Sequence, residues 1–164
     1  MTQPDATLAR VIRQDIQGMH AYAVQASAGL IKLDAMENPF GLSDELQRAL
    51  GERLGRVALN RYPAGRVDDL RAALAAHAGL PEGCALTLGN GSDELITMLG
   101  MAINLPGATV MAPVPGFVMY AMSAQLQCQR FVGVPLTADF ELDKTAMLAA
   151  IEAHQPSLLY LAYP

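Results

Sequence analysis

Apolar and polar positions follow two periods along this chain, and the change comes near residue 80. Before it, Leu46, Ala49, Leu50 and Leu54 recur at helical spacing, which predicts a helix from Ser43 to about Arg56. Ser43 offers the N-cap, and Asp44 and Glu45 put negative charge in the first turn. A second helix is predicted with Val67, Leu70 and Leu74 inward, stopped by Gly79 and Pro81. Between the two, NRYPAG (60–65) reads as a loop, because Pro63 pushes Tyr62 out of helical geometry. Upstream, LIKLDAMENPFG (30–41) begins as a short strand and ends in a Pro-Phe-Gly turn.

Past residue 80, short apolar runs alternate with amphipathic stretches. CALTLG (84–89), ATVMAP (108–113), QRFVGVPL (129–136) and SLLYLAYP (157–164) read as strands. Helices are predicted over 92–104, with Leu95, Ile96, Leu99, Ala102 and Ile103 on one face, over 116–126, and from an Asp143 cap to His154. This alternation predicts an α/β chain with a mostly parallel sheet flanked by helices. The last apolar run has no turn and helix after it, so the chain reads as the front part of a longer protein. Ligands of open α/β sheets gather beyond the carboxyl ends of the strands, where that turn would lie.

Composition narrows the class. Hydrophobic residues make up 52% and charged residues 16% of the 164 positions, which describes a globular chain. The net charge of −5 and the absence of any Lys/Arg run predict no nucleic-acid surface. MTQPDATLARVIRQD lacks the basic start and apolar centre of a signal peptide, and no apolar run approaches a membrane span. A cytoplasmic location without membrane contact is therefore expected. Cys84 and Cys128 are expected to be buried small hydrophobes, and His20, His77 and His154 share no ligand-like spacing, so no metal is expected. His77 and His154 fall at predicted helix ends, where an imidazole suits the negative end of the dipole.

The densest chemical signal is LTLGNGSDELITML (86–99), a run into a glycine-bounded turn and a helix start. Unpaired N–H groups at a helix N-terminus bind phosphate readily; Gly91 supplies clearance and Ser92 a hydroxyl donor. A glycine turn with a Ser or Asp cap satisfies the same pattern without a ligand, and the residues alone leave both readings open. The spacing matches neither a P-loop nor a dinucleotide fingerprint. Phe117, in PVPGFVMY, follows the next strand and is placed either to cover a planar ligand or to pack a helix start. Tyr62 lies on a loop, free to meet a partner or to pack.

Together, ENPFG (37–41), RYP (61–63), GNGSDE (89–94), PVPGFVMY and FELDKTAMLAAI resemble, in order and spacing, the histidinol-phosphate aminotransferases. The resemblance runs from about Arg13 to Pro164. It implies a pyridoxal-phosphate-dependent transferase fold like that of aspartate aminotransferase, with the chain ending partway through the large domain. It divides the chain into an arm and part of a small domain (1–60) and the first part of a cofactor-binding domain (61–164). The implied cofactor is pyridoxal 5'-phosphate, its phosphate held by Gly91, Ser92 and Asp93 and its ring stacked by Phe117, where the family usually has tyrosine. Tyr62 matches a tyrosine that reaches the neighbouring subunit's cofactor phosphate in a homodimer. Tyr22 and Asn38 match substrate-pocket positions, and Met36 replaces a usual asparagine. The Schiff-base lysine is expected beyond Pro164, since neither Lys32 nor Lys144 matches its position.

The implied reaction moves an amino group between histidinol phosphate and 2-oxoglutarate, a step of histidine biosynthesis. An aromatic aminotransferase or an amino-acid-phosphate decarboxylase of the same fold would share these motifs. A non-catalytic phosphate-binding or dimerisation module is the alternative from another class.

Overall fold

In a computed structural model, residues 10–21, 26–33, 37–62 and 67–162 are described. They fall into two compact units, Met1–Ala73 and Leu74–Pro164.

The first unit contains α1 (Gln14–Gln17), α2 (Asp44–Leu54) and the start of α3 (Val67–Ala78). Ser43 caps α2 as expected, its hydroxyl accepting from the Leu46 N–H at 3.4 Å. The apolar stripe of α2 is present but uncovered among the described residues: Leu46, Leu50 and Leu54 are all exposed. No strand forms over 30–33, where Leu30, Ile31 and Leu33 are exposed. Apolar residues alone do not make a strand, because the backbone also needs a ladder partner.

The second unit is built on three parallel strands, β1 (Thr109–Val114), β2 (Arg130–Pro135) and β3 (Leu158–Leu159), in the order β2-β1-β3. β1 pairs with β2 from Thr109↔Arg130 to Val114↔Pro135, and with β3 through Val110↔Leu158 and Met111↔Leu159. α4 (Ser92–Ala102) precedes β1, α5 (Val118–Leu126) joins β1 to β2, and α6 (Lys144–His154) joins β2 to β3. The two crossovers run in opposite directions across the sheet. Right-handed connections therefore put α5 and α6 on opposite faces.

Burial follows from this layout. Thr109, Val110, Met111 and Ala112 are all buried, as a strand covered on both faces requires. Met111 packs with Val134 and Met147, flanked by Val132, Ala150, Ile151 and Leu159. Alternation turns Val110 and Ala112 to the other face.

Three further expectations need correcting. CALTLG is not a strand among the described residues, although Leu86 and Leu88 are half-buried and their neighbours exposed, as in extended chain. Periodicity sets which side is covered, and only a paired backbone makes a strand. SLLYLAYP shortens to the two residues of β3, with 163–164 outside the described residues. Cys84 and Cys128 are exposed. Both sit in turns rather than in the runs beside them; Cys128 adopts a left-handed conformation (φ +59°) where α5 turns into β2.

The Asp143 side chain accepts from the Ala146 N–H at 2.9 Å and is partly buried. Asp143→Ala is expected to cost about 1 kcal/mol. Ser43→Ala, removing a longer and exposed bond, is expected to cost less, and denaturant midpoints of the two variants check the order.

Candidate functional site

The Gly89–Asp93 turn enters α4 through two glycines with different tasks. A Cβ on Gly89 would lie 2.9 Å from two carbons of Leu95 and 3.1 Å from Glu94 Oε2, so the turn closes tightly over the helix start. Gly91 is the N-cap at φ +86° and ψ 172°, a conformation that strains any residue with a Cβ. Nothing lies within 4 Å of where its Cβ would be, so this side of the turn is open.

The helix start is not closed by its own cap. α2 and α6 each donate a first-turn N–H to a cap side chain, that of Ser43 or Asp143, whereas the N-cap of α4 offers no such acceptor. The Ser92 and Asp93 N–H groups have no intrahelical acceptor by helix geometry. Asn90 is different: its backbone N–H donates to Glu94 Oε2 at 2.5 Å and its amide at 3.2 Å. Glu94 thus withdraws Asn90 from any anion-binding set and leaves the donors at residues 91–93. The Asp93 and Glu94 carboxylates oppose an incoming anion, while the dipole and the open N–H groups favour it.

Phe117 stands at the N-cap of α5, just after the carboxyl end of β1, with 37% of its surface exposed. Its ring meets Tyr120 edge-on, with centroids 5.5 Å apart and planes at 88°. Tyr120 in turn stacks on Tyr160 at 4.3 Å and 5°. The Tyr160 hydroxyl donates to the Ile96 carbonyl of α4 at 3.3 Å, and burial followed by the neighbouring Tyr120 pushes this phenol above its ordinary value. Sequence reasoning passed over both tyrosines. The available signals were a tyrosine three positions after Phe117 and another inside an aliphatic run.

α4 and α5 pack together. The Gln127 amide donates to Ser123 Oγ of its own helix at 2.9 Å and to the Thr97 carbonyl at 3.4 Å across that seam. Gly100 is buried in α4, where a Cβ would run into the Gln127 amide. A cleft of about 480 Å³ opens beside β1, lined by Pro113, Pro115, Gly116, Tyr120, Phe140 and Leu161 among others. Neither the 89–93 turn nor Phe117 lines it.

The remaining expected site residues lie in the first unit. Tyr62 is 96% exposed, in accord with a loop position. Asn38 is exposed and turned onto its own backbone, its Oδ1 accepting from the Phe40 N–H at 3.0 Å. Tyr22 lies outside the described residues, as does Met36. Lys32 pairs with Glu37 at 2.9 Å, and Lys144 occupies the first position of α6. Among the described residues no group of three His, Cys, Asp or Glu side chains could hold a metal ion, and no helix is long and apolar enough to cross a membrane.

No family model matches the chain. It is 70% identical over 157 residues to a histidinol-phosphate aminotransferase of Methylibium petroleiphilum, covering 96% of this chain and 42% of that protein. It is 64% identical to the histidinol-phosphate aminotransferase of Polaromonas naphthalenivorans, covering 100% of this chain and 46% of that protein. Among solved structures, the histidinol-phosphate aminotransferase of Sinorhizobium meliloti in complex with pyridoxal-5'-phosphate aligns with a TM-score of 0.73 at 26% identity. That match covers 94% of this chain and 42% of the other. The chain thus spans somewhat under half the length of the relatives it matches. The resemblance carried by ENPFG, RYP and GNGSDE is borne out, and the fold is that of the pyridoxal-phosphate-dependent aminotransferases.

The raised Tyr160 phenol sets a direction for alkaline stability. A folded-state value above the unfolded one stabilises fully below the unfolded value of about 10 and is lost as pH rises through the folded value. Tyr160→Phe is therefore expected to flatten part of the stability loss above about pH 10. Denaturant midpoints measured across that range check it.

Proposed function

We propose, with kinship to the histidinol-phosphate aminotransferases as the premise, that this chain serves as the front part of such an enzyme. The reaction is amino transfer between histidinol phosphate and 2-oxoglutarate. The relatives at 70% and 64% identity carry that name, which favours this reading over an aromatic aminotransferase or an amino-acid-phosphate decarboxylase of the same fold. The observation that carries it on the structural side is the α4 N-terminus. It opens through Gly91 and lacks a side-chain cap.

Pyridoxal phosphate, when bound, supplies the electron sink for amino transfer. The residues present fit it. The Ser92 and Asp93 N–H groups and the Ser92 hydroxyl would hold the phosphate at the end of the α4 dipole, reached past the open face of Gly91. Phe117 presents a partly exposed ring after the carboxyl end of β1, suited to cover one face of a planar group. Phenylalanine there gives stacking without a hydroxyl contact. Asn38 and Tyr22 would face the amine substrate.

The lysine that bonds the cofactor and carries the proton lies outside residues 1–164 in this reading. The chain's two lysines are otherwise placed, Lys32 beside Glu37 and Lys144 in the first turn of α6. Tyr62 would serve the phosphate site of a second copy in a homodimer. The site falls in the large domain of this reading, 61–164, and the arm and small-domain part in 1–60. A cytoplasmic location accords with a biosynthetic role.

Amino transfer from histidinol phosphate by the complete protein, and none by residues 1–164 alone, is the expected outcome; turnover by the segment alone would overturn the assignment of the lysine. In the complete protein, Gly91→Val is expected to weaken pyridoxal-phosphate binding by about tenfold or more, because strain at positive φ distorts the turn. Helix content by circular dichroism should stay unchanged. Unaltered cofactor affinity would mean that the turn is only a cap.

Subunit mixing tests Tyr62. A Tyr62→Phe subunit paired with one lacking its own lysine should restore activity only at sites whose neighbour keeps the tyrosine. Equal activity in every pairing would exclude the cross-subunit role.

A further inference from the structure

Phe117 and the α4 N-terminus are linked through two tyrosines, Tyr120 and Tyr160. Phe117 sits at an N-cap with no side-chain bond, and its ring makes an edge-to-face contact with Tyr120. The plane of Tyr120 is in turn defined by its parallel stack on Tyr160. Tyr160 is fixed at two points: its N–H donates to the Met111 carbonyl of β1 at 2.9 Å, and its hydroxyl to the Ile96 carbonyl at 3.3 Å. Ile96 is buried one turn into α4, the helix whose first turn carries Ser92 and Asp93.

We infer that Tyr160 and Tyr120 are positioning residues, a ladder from the α4 backbone to Phe117 that fixes the stacking ring relative to the phosphate-holding turn. This rests on the function proposed above, since it requires a planar cofactor between the two. An aliphatic residue at 160 would fill volume there. It could neither stack in parallel on Tyr120 nor reach the Ile96 carbonyl. Offset-stacked and edge-to-face pairs are directional, so each step of the ladder restrains the orientation of the next ring.

The test is a double-mutant cycle in the complete protein. It is read by pyridoxal-phosphate affinity of the apo form and by the visible circular-dichroism band that the bound cofactor acquires from its asymmetric surroundings. Tyr160→Leu is expected to weaken binding about fivefold and to shrink the band, as Phe117→Leu does. The double variant should be no worse than the more impaired single one, because Tyr160 acts through Phe117. Tyr160→Phe keeps the stack and loses the Ile96 bond, with a loss of about twofold expected. It takes the place of the leucine variant in the cycle if that one does not fold.

Unchanged affinity and band in the Tyr160 variants, or losses that multiply with those of Phe117→Leu, would overturn the inference and leave the function intact. An inert Phe117→Leu would overturn it as well. Absence of pyridoxal-phosphate binding by the unaltered protein would overturn the proposed function and this inference together.

Discussion

Burial of β1 on both faces is the constraint from which the second unit follows. From Thr109 to Ala112 every residue is out of solvent, so each backbone N–H and C=O there needs a partner within the protein. Strands on both sides provide them. The Arg130 N–H bonds to the Ala108 carbonyl at 3.1 Å, while the Ser157 and Tyr160 N–H groups bond to the Thr109 and Met111 carbonyls, both at 2.9 Å. Parallel partners cannot be reached by tight turns, so each must arrive through a helical crossover. The helices then cover the faces that make the strand buried.

α4 is joined to this scaffold through polar side chains as well as through packing on α5, where Ile96 and Gly100 are buried. The amide of Gln129 donates to the Gly100 carbonyl at 2.7 Å and that of Asn104 to the Gln127 carbonyl at 3.0 Å. With the Gln127 amide and the Tyr160 hydroxyl, they hold α4 and the turn that leaves it at several points. The Oε1 atoms of Gln127 and Gln129 are buried and lack hydrogen-bond partners among the described residues. The seam thus carries a desolvation cost in return for directional bonds. Apolar contact alone would allow α4 to rotate about its axis; bonds to specific carbonyls do not. The turn at its N-terminus inherits that fixed orientation.

Helices were legible in the sequence wherever a cap residue preceded a periodic apolar face, as at Ser43 and Asp143. Both residues cap in the structure. The strands ATVMAP and QRFVGVPL were legible because their apolar runs have partners. CALTLG and LIKL carry the same local signal, and no strand follows among the described residues, since pairing is not written in the run itself. The turn at 89–93 could be read from its glycines, but the sequence did not reveal that Gly89 is the crowded one and Gly91 the open one. Nor did it reveal that Glu94 turns back onto Asn90. The tyrosine ladder was invisible for a different reason. Its members come from α5 and from the exit of β3, and only the crossover geometry sets their rings face to face.

The strand order also dictates a sequence of events during synthesis. β1 and β2 lie close in the chain and can pair, with α5 over them, as soon as both have left the ribosome. The other edge of β1 waits for Leu158 and Leu159, after the whole of α6 has been made. Through that interval the Thr109 and Met111 carbonyls, later bonded to Ser157 and Tyr160, are open to solvent or to another chain. Of these three strands the central one comes first in sequence and one of its neighbours third, so pairing on its second edge is a later, more non-local step than formation of the β1-α5-β2 unit.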